Sequence, residues 1–205
     1  MKRIAIILFF AISTTLLHAQ QYPEYAIGIK GGATASYVYA DPTISQYMPP
    51  VNYHAGTQFR MISEKHFGFI VELNYAQRGF SSYENGAYTN RRLDYIELPF
   101  LTHVTFGQKL CRFFFNLGPS ISYMINDVQN ITSTSEAHTL AVNKFDYGIA
   151  VDLGMEFNTN TGIYTFNIRY SYGLGNIFPS TSSDYYSMSS NQNISASIAY
   201  LFPLR

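Results

Sequence analysis

The sequence predicts an all-β fold: an eight-stranded antiparallel up-and-down transmembrane β-barrel. Three observations predict it. Apolar and polar residues alternate along about eight segments, as strands with two unlike faces require. An export-type leader precedes them. After that leader no run of 18 or more apolar residues exists, so a membrane can be crossed only by strands that close on themselves.

The leader comes first. Lys2 and Arg3 form a positive start, residues 4–12 are uninterruptedly apolar, Leu16 and Leu17 extend the run, and Ala19 offers a small residue for cleavage. This is the layout of a secretory signal peptide, and its apolar run is short for a helical span. The expected division is residues 1–19 as a cleaved signal peptide and 20–205 as one barrel domain. Cysteine does not follow the cleavage point, which argues against a lipoprotein.

The eight strands are expected at residues 25–37, 51–62, 67–79, 91–106, 111–125, 145–157, 163–177 and 193–202. The third and seventh show the pattern best. Phe67, Phe69, Val71, Leu73 and Tyr75 share one parity, opposed by Glu72, Asn74 and Arg78, with Ile70 as the apolar exception. Tyr164, Phe166, Ile168, Tyr170 and Tyr172 alternate with Thr165, Asn167, Arg169 and Ser171. Short connections are expected at 63–66, 107–110 and 158–162, and long polar ones at 38–50, 80–90, 126–144 and 178–192. Strand direction reverses at every connection, so the short turns gather at one end and the long loops at the other. Outer-membrane barrels have this arrangement, with short periplasmic turns and long outer loops. Pro99 and Pro119 fall inside strands and lack a ladder donor, so local bulges are expected there. Gly31-Gly32, Gly118, Gly173 and Gly175 are expected to ease bending or close packing.

Alternation alone leaves two orientations open. A soluble secreted ligand-binding barrel keeps its apolar face inside; a membrane barrel turns it outward. Charged residues make up 13% of the chain, about half the roughly 25% usual in soluble domains, so little is available to clothe a wet exterior. Tyr25, Tyr37, Tyr53, Tyr75, Phe106, Tyr123, Tyr147, Phe157, Tyr172 and Tyr200 lie on the apolar parity near strand ends, as interfacial girdles do. The polar parity carries Lys30, Arg60, Arg78, Arg112 and Arg169 against Glu72, Glu97, Asp146, Asp152 and Glu156, with His54 and His103 on the same face. An eight-stranded barrel is just wide enough for side chains to fill it. Charges confined there should pair, which predicts a plugged lumen with an internal ion network.

The stretches Gly28-Ile-Lys-Gly-Gly32, Glu72-Leu-Asn-Tyr75, Leu93-Asp-Tyr-Ile-Glu-Leu-Pro99, Phe115-Asn-Leu-Gly-Pro119, Phe145-Asp-Tyr-Gly148 and Ile168-Arg-Tyr-Ser-Tyr-Gly-Leu174 occur in this order. In that order the mature chain resembles the Bacteroidota outer-membrane beta-barrel family that includes PorT-like proteins, of the size of OmpA and OmpX barrels. The resemblance implies an outer-membrane barrel without a cofactor. It implies either a structural or surface role or, in one branch, a part in type IX protein secretion. It supplies no catalytic residues to carry over.

Chemistry outside that resemblance is sparse. The chain is formally neutral, so no basic excess points to nucleic acid. Phosphate loops, zinc-protease helices and paired-cysteine motifs are lacking, and His54, His66, His103 and His138 share no ligand spacing. Cys111 stands alone and forms no disulfide framework. His138 with Ser133, Ser135 and Glu136 is the nearest approach to a nucleophilic set, but all four lie in one loop and are not preorganised. The expectation is a non-enzyme whose partners are outer-membrane lipid and, at the long loops, a protein or glycan. Tyr185 and Tyr186 are the candidate surface contact, because tyrosine combines apolar area with a hydroxyl.

Overall fold

The computed structural model describes residues 24–41, 50–84, 87–108, 110–131, 143–175 and 188–204. The alternating segments form β1 (Glu24–Asp41), β2 (Val51–Glu64), β3 (Phe67–Glu84), β4 (Ala87–Gln108), β5 (Cys111–Ile131), β6 (Phe145–Asn158), β7 (Ile163–Gly173) and β8 (Met188–Leu204). Each pairs antiparallel with its sequence neighbours, and β1 pairs with β8, from Tyr25↔Leu204 to Asp41↔Met188. The sheet is therefore a closed barrel in strand order one to eight. Closure satisfies the backbone donors and acceptors without leaving a sheet edge along the closed section.

The two faces settle the orientation. Outward residues are large and apolar, as in Tyr164, Phe166, Ile168 and Tyr170 on β7 or Ile194, Ile198 and Phe202 on β8, all of them exposed. Inward residues are buried and mostly polar or charged. This is the reverse of a soluble barrel, and it sets the soluble secreted reading aside. Some apolar residues are buried too, Ile62, Ala76 and Phe114 singly and others in clusters. Ala26, Ile163, Ala199 and Leu201 cluster at the short-turn end. Ile70, the exception to the β3 pattern, meets Leu101 and Ala150 in the middle. Leu93, Tyr95 and Met124 cluster toward the other end.

The strands run further than periodicity indicates. β3 and β4 stay paired to Glu84↔Ala87, with only Asn85-Gly86 between them, so the expected long loop at 80–90 is a hairpin. Asn-Gly is a strong two-residue hairpin signal, and here it outweighs the loss of alternation. β5 continues to Ile131, paired with Thr89. β8 starts at Met188, not at residue 193, whereas β7 stops at Gly173, where Leu174 and Gly175 turn back to donate to the Tyr147 carbonyl at 2.7 and 3.3 Å. The rim is consequently uneven: β3, β4 and β5 stand above β6, which begins opposite Tyr123.

Bulges do not occur at Pro99 or Pro119. Pairing lapses beside each proline and resumes in the same register, since a missing donor removes a bond without adding a residue. The register shifts instead between Ile62 and Glu64, and between Asp94 and Tyr95. Gly107 starts the β4–β5 turn at φ 126°, a conformation open to glycine. Gly32 leaves room for the His54 ring, whose Cε1 would lie 2.8 Å from any Cβ placed there.

Candidate functional site

Strand register brings the inward charges together, and barrel curvature then lets them reach across. Asp152 on β6 is the direct partner of Arg169 on β7, and Arg112 on β5 that of Glu156 on β6. All ten charged residues expected on the inward parity enter ion pairs, and these pairs form three layers.

The lower layer, toward the short turns, is built on Glu156, which is fully buried. Arg60 Nη1 reaches its Oε2 at 2.5 Å from the opposite wall, and Arg112 Nε lies 2.5 Å from its Oε1. The middle layer is the most complete. Arg169 donates to Glu72 at 2.8 and 2.9 Å and to Asp152 at 2.6 and 2.8 Å. Lys30 Nζ lies 3.0 Å from Glu72 Oε1, and Asn74 donates to Glu72 at 2.8 Å. Asn116 donates to Asp152 at 3.0 Å, and its Oδ1 lies 2.6 Å from His103 Nδ1. In the upper layer Arg78 donates to Glu97 at 2.7 Å, to Asp146 at 2.9 Å and to Ser122 at 3.2 Å, with its guanidinium 4.8 Å from the Tyr95 ring centre.

Charge balances over the lumen but not layer by layer. The lower layer holds two arginines against one glutamate, the middle two cations against two carboxylates, and the upper one arginine against two carboxylates. Three cavities between these groups are small, about 10, 20 and 10 Å³, each on the scale of one or two waters.

Several participants escape sequence reading. Arg91 forks onto Asp127 at 2.9 and 2.5 Å above the upper layer. Asp127 falls in what periodicity marks as loop, yet Arg91 shares parity with Leu93, Tyr95 and Glu97, which was a usable signal. His54, expected on this face, sits 2.8 Å from both Thr34 Oγ1 and Ser197 Oγ, tying β2 to β1 and β8. Asn126 donates to buried Asp94 at 3.0 Å and exposed Arg92 lies 3.4 Å from it, so the apolar band on β4 ends there, above Ile96 and Phe100.

Of the anticipated girdle, Tyr25, Tyr37, Tyr53, Phe106, Tyr123 and Tyr147 are exposed on the exterior. Cys111 is half-buried at the start of β5. Tyr185, Tyr186, the set around His138 and the leader lie outside the described residues. Among the described residues no cluster of three or more His, Cys, Asp or Glu could hold a metal ion.

Residues 18–179 match the family model described as outer membrane protein beta-barrel domain. The outer membrane protein OprG of Pseudomonas aeruginosa is a solved structure of similar fold, 10% identical, with a TM-score of 0.56 over 88% of this chain and 96% of that one. Ail, the attachment invasion locus protein of Yersinia pestis, is another, 14% identical, with a TM-score of 0.50 over 87% of this chain and 99% of that one. No curated protein matches the sequence.

Proposed function

We propose, from the premise that this chain belongs to the outer membrane protein beta-barrel domain family and resides in the outer membrane, that it is a non-catalytic barrel with a plugged lumen. Its role is then envelope structure or binding at the loop-bearing end. Residues 1–19 serve as the cleaved export signal in this reading.

The observation that carries it is the filling of the interior. Paired charges occupy the lumen in three layers, and apolar side chains close it toward both ends. Among the described residues, an interior filled in this way leaves no open path for solutes. What remains for interaction is the uneven rim, where β3, β4 and β5 project. A protein or glycan partner meets the chain there, with Tyr185-Tyr186 as contacts.

The second reading is a PorT-like component of type IX secretion in a Bacteroidota envelope, favoured by the Tyr95-Ile-Glu-Leu-Pro99 stretch alone. A deletion strain separates the two. The structural and surface reading predicts heightened detergent sensitivity with normal release of secreted cargo. Cargo trapped in the periplasm would replace it with the secretion reading. Removing residues 178–187, which stops short of the paired β8 residues, should spare assembly and abolish surface binding; retained binding excludes the Tyr185-Tyr186 contact.

A further inference from the structure

We propose that the upper lumen binds one monovalent cation of sodium size, held between Asp146 and Asn193 beside Glu97.

Four observations converge on this place. The first is a cavity of about 10 Å³ whose wall includes Glu97, Ser120, Ser122, Asp146, Ser171 and Asn193, all oxygen-bearing side chains. The second is a pair of orphaned acceptors. Asp146 Oδ1 and Asn193 Oδ1 have no hydrogen-bond partner among the described residues, although their residues are only 5% and 6% exposed. Both residues belong to the wall of this same cavity, as does Arg78. A buried oxygen without a donor costs about 1–3 kcal/mol, so something that accepts electron density belongs between them.

The third observation is charge. Among the described residues Arg78 is the cation paired in the upper layer, and it faces both Glu97 and Asp146. The neighbouring layers carry their own partners. The middle one is internally neutral, and above it Arg91 is engaged with Asp127. A water would satisfy the two orphaned oxygens but leave one negative charge uncompensated in a confined interior, which is expensive. A small hard cation satisfies both demands.

The fourth is the way the hydroxyls are used. Ser120 donates to Glu97 at 3.2 Å, which leaves its lone pairs free. Glu97 Oε1 is occupied by Arg78 and Ser120, and Asp146 Oδ2 by Arg78 and Asn191, at 2.9 and 3.2 Å. Asp146 Oδ1 is left without a donor.

The site stands apart from the question of what the rim binds. Its test is thermal unfolding of the folded full-length barrel in sodium chloride and in choline chloride at equal ionic strength, read by gel mobility of unboiled samples. A ligand that binds only the folded state raises the midpoint, and here sodium should raise it by about 2–4 °C over choline. Asp146→Asn, which removes the excess charge while keeping the shape, should abolish the increment. Equal midpoints in the two salts would overturn the proposal and leave the cavity to water. So would an increment that survives in Asp146→Asn. If that variant does not fold, Ser120→Ala decides: a reduced increment supports the site, and an unchanged one overturns it.

Discussion

Arg169 on β7 and Glu72 on β3 face each other across the barrel and are joined by two hydrogen bonds of 2.8 and 2.9 Å. β3 and β7 are diametrically opposed in the strand order, so this pair bridges the full width of the lumen. Glu72 also takes Lys30 and Asn74, and Arg169 also takes Asp152. The whole middle layer therefore hangs on these two residues.

Glu72→Ala should cost about 3–5 kcal/mol, because it strands buried Lys30 and leaves Arg169 only Asp152. Urea unfolding of the barrel refolded in lipid measures this. Arg169→Ala should be similarly severe, and the double variant should cost much less than the sum. Additive losses would mean that the two do not act as a pair.

Ile168 precedes Arg169 and is 62% exposed on the opposite face. With lipid on that side, Ile168→Arg should destabilise by about 2–4 kcal/mol if the position lies near the bilayer midplane. The same substitution on a water-facing surface would be near neutral. Unfolding in lipid bilayers distinguishes the two.

This contrast also shows what the sequence can and cannot reveal. Alternation in β7 is strict, so both faces of Ile168 and Arg169 are legible from parity. The pairing of Asp152 with Arg169 follows from neighbouring register once the strands are aligned. The reach of Arg169 to Glu72 does not follow, because it depends on how far the sheet is sheared when it closes. Asp127 is missed for another reason. The register shift opposite Asp94 and Tyr95 leaves Ile125 as an extra residue and reverses the parity of β5 beyond it. The prolines mislead because ring chemistry removes a donor without demanding an extra residue.

Leu201 is fully buried in the cluster with Ala26, Ile163 and Ala199 that closes the short-turn end. Leu201→Ala should cost about 2–5 kcal/mol through lost burial and a residual cavity. Urea unfolding against wild type checks it, and a loss below about 1 kcal/mol would mean that this end is not tightly packed.

Cys111 lies beside the β4–β5 turn, at the end carrying the short connections. With short turns in the periplasm, a membrane-impermeant maleimide should leave it unlabelled in intact cells and label it once the outer membrane is permeabilised. Labelling in intact cells would invert the assigned orientation.

The plugged lumen is tested most directly by conductance of the purified barrel in a planar lipid bilayer. Three layers of ion pairs and apolar closures toward both ends predict no sustained open channel for wild type at neutral pH. A steady, ohmic single-channel current from the folded wild-type protein would contradict the account, because it requires a continuous water path through all three layers.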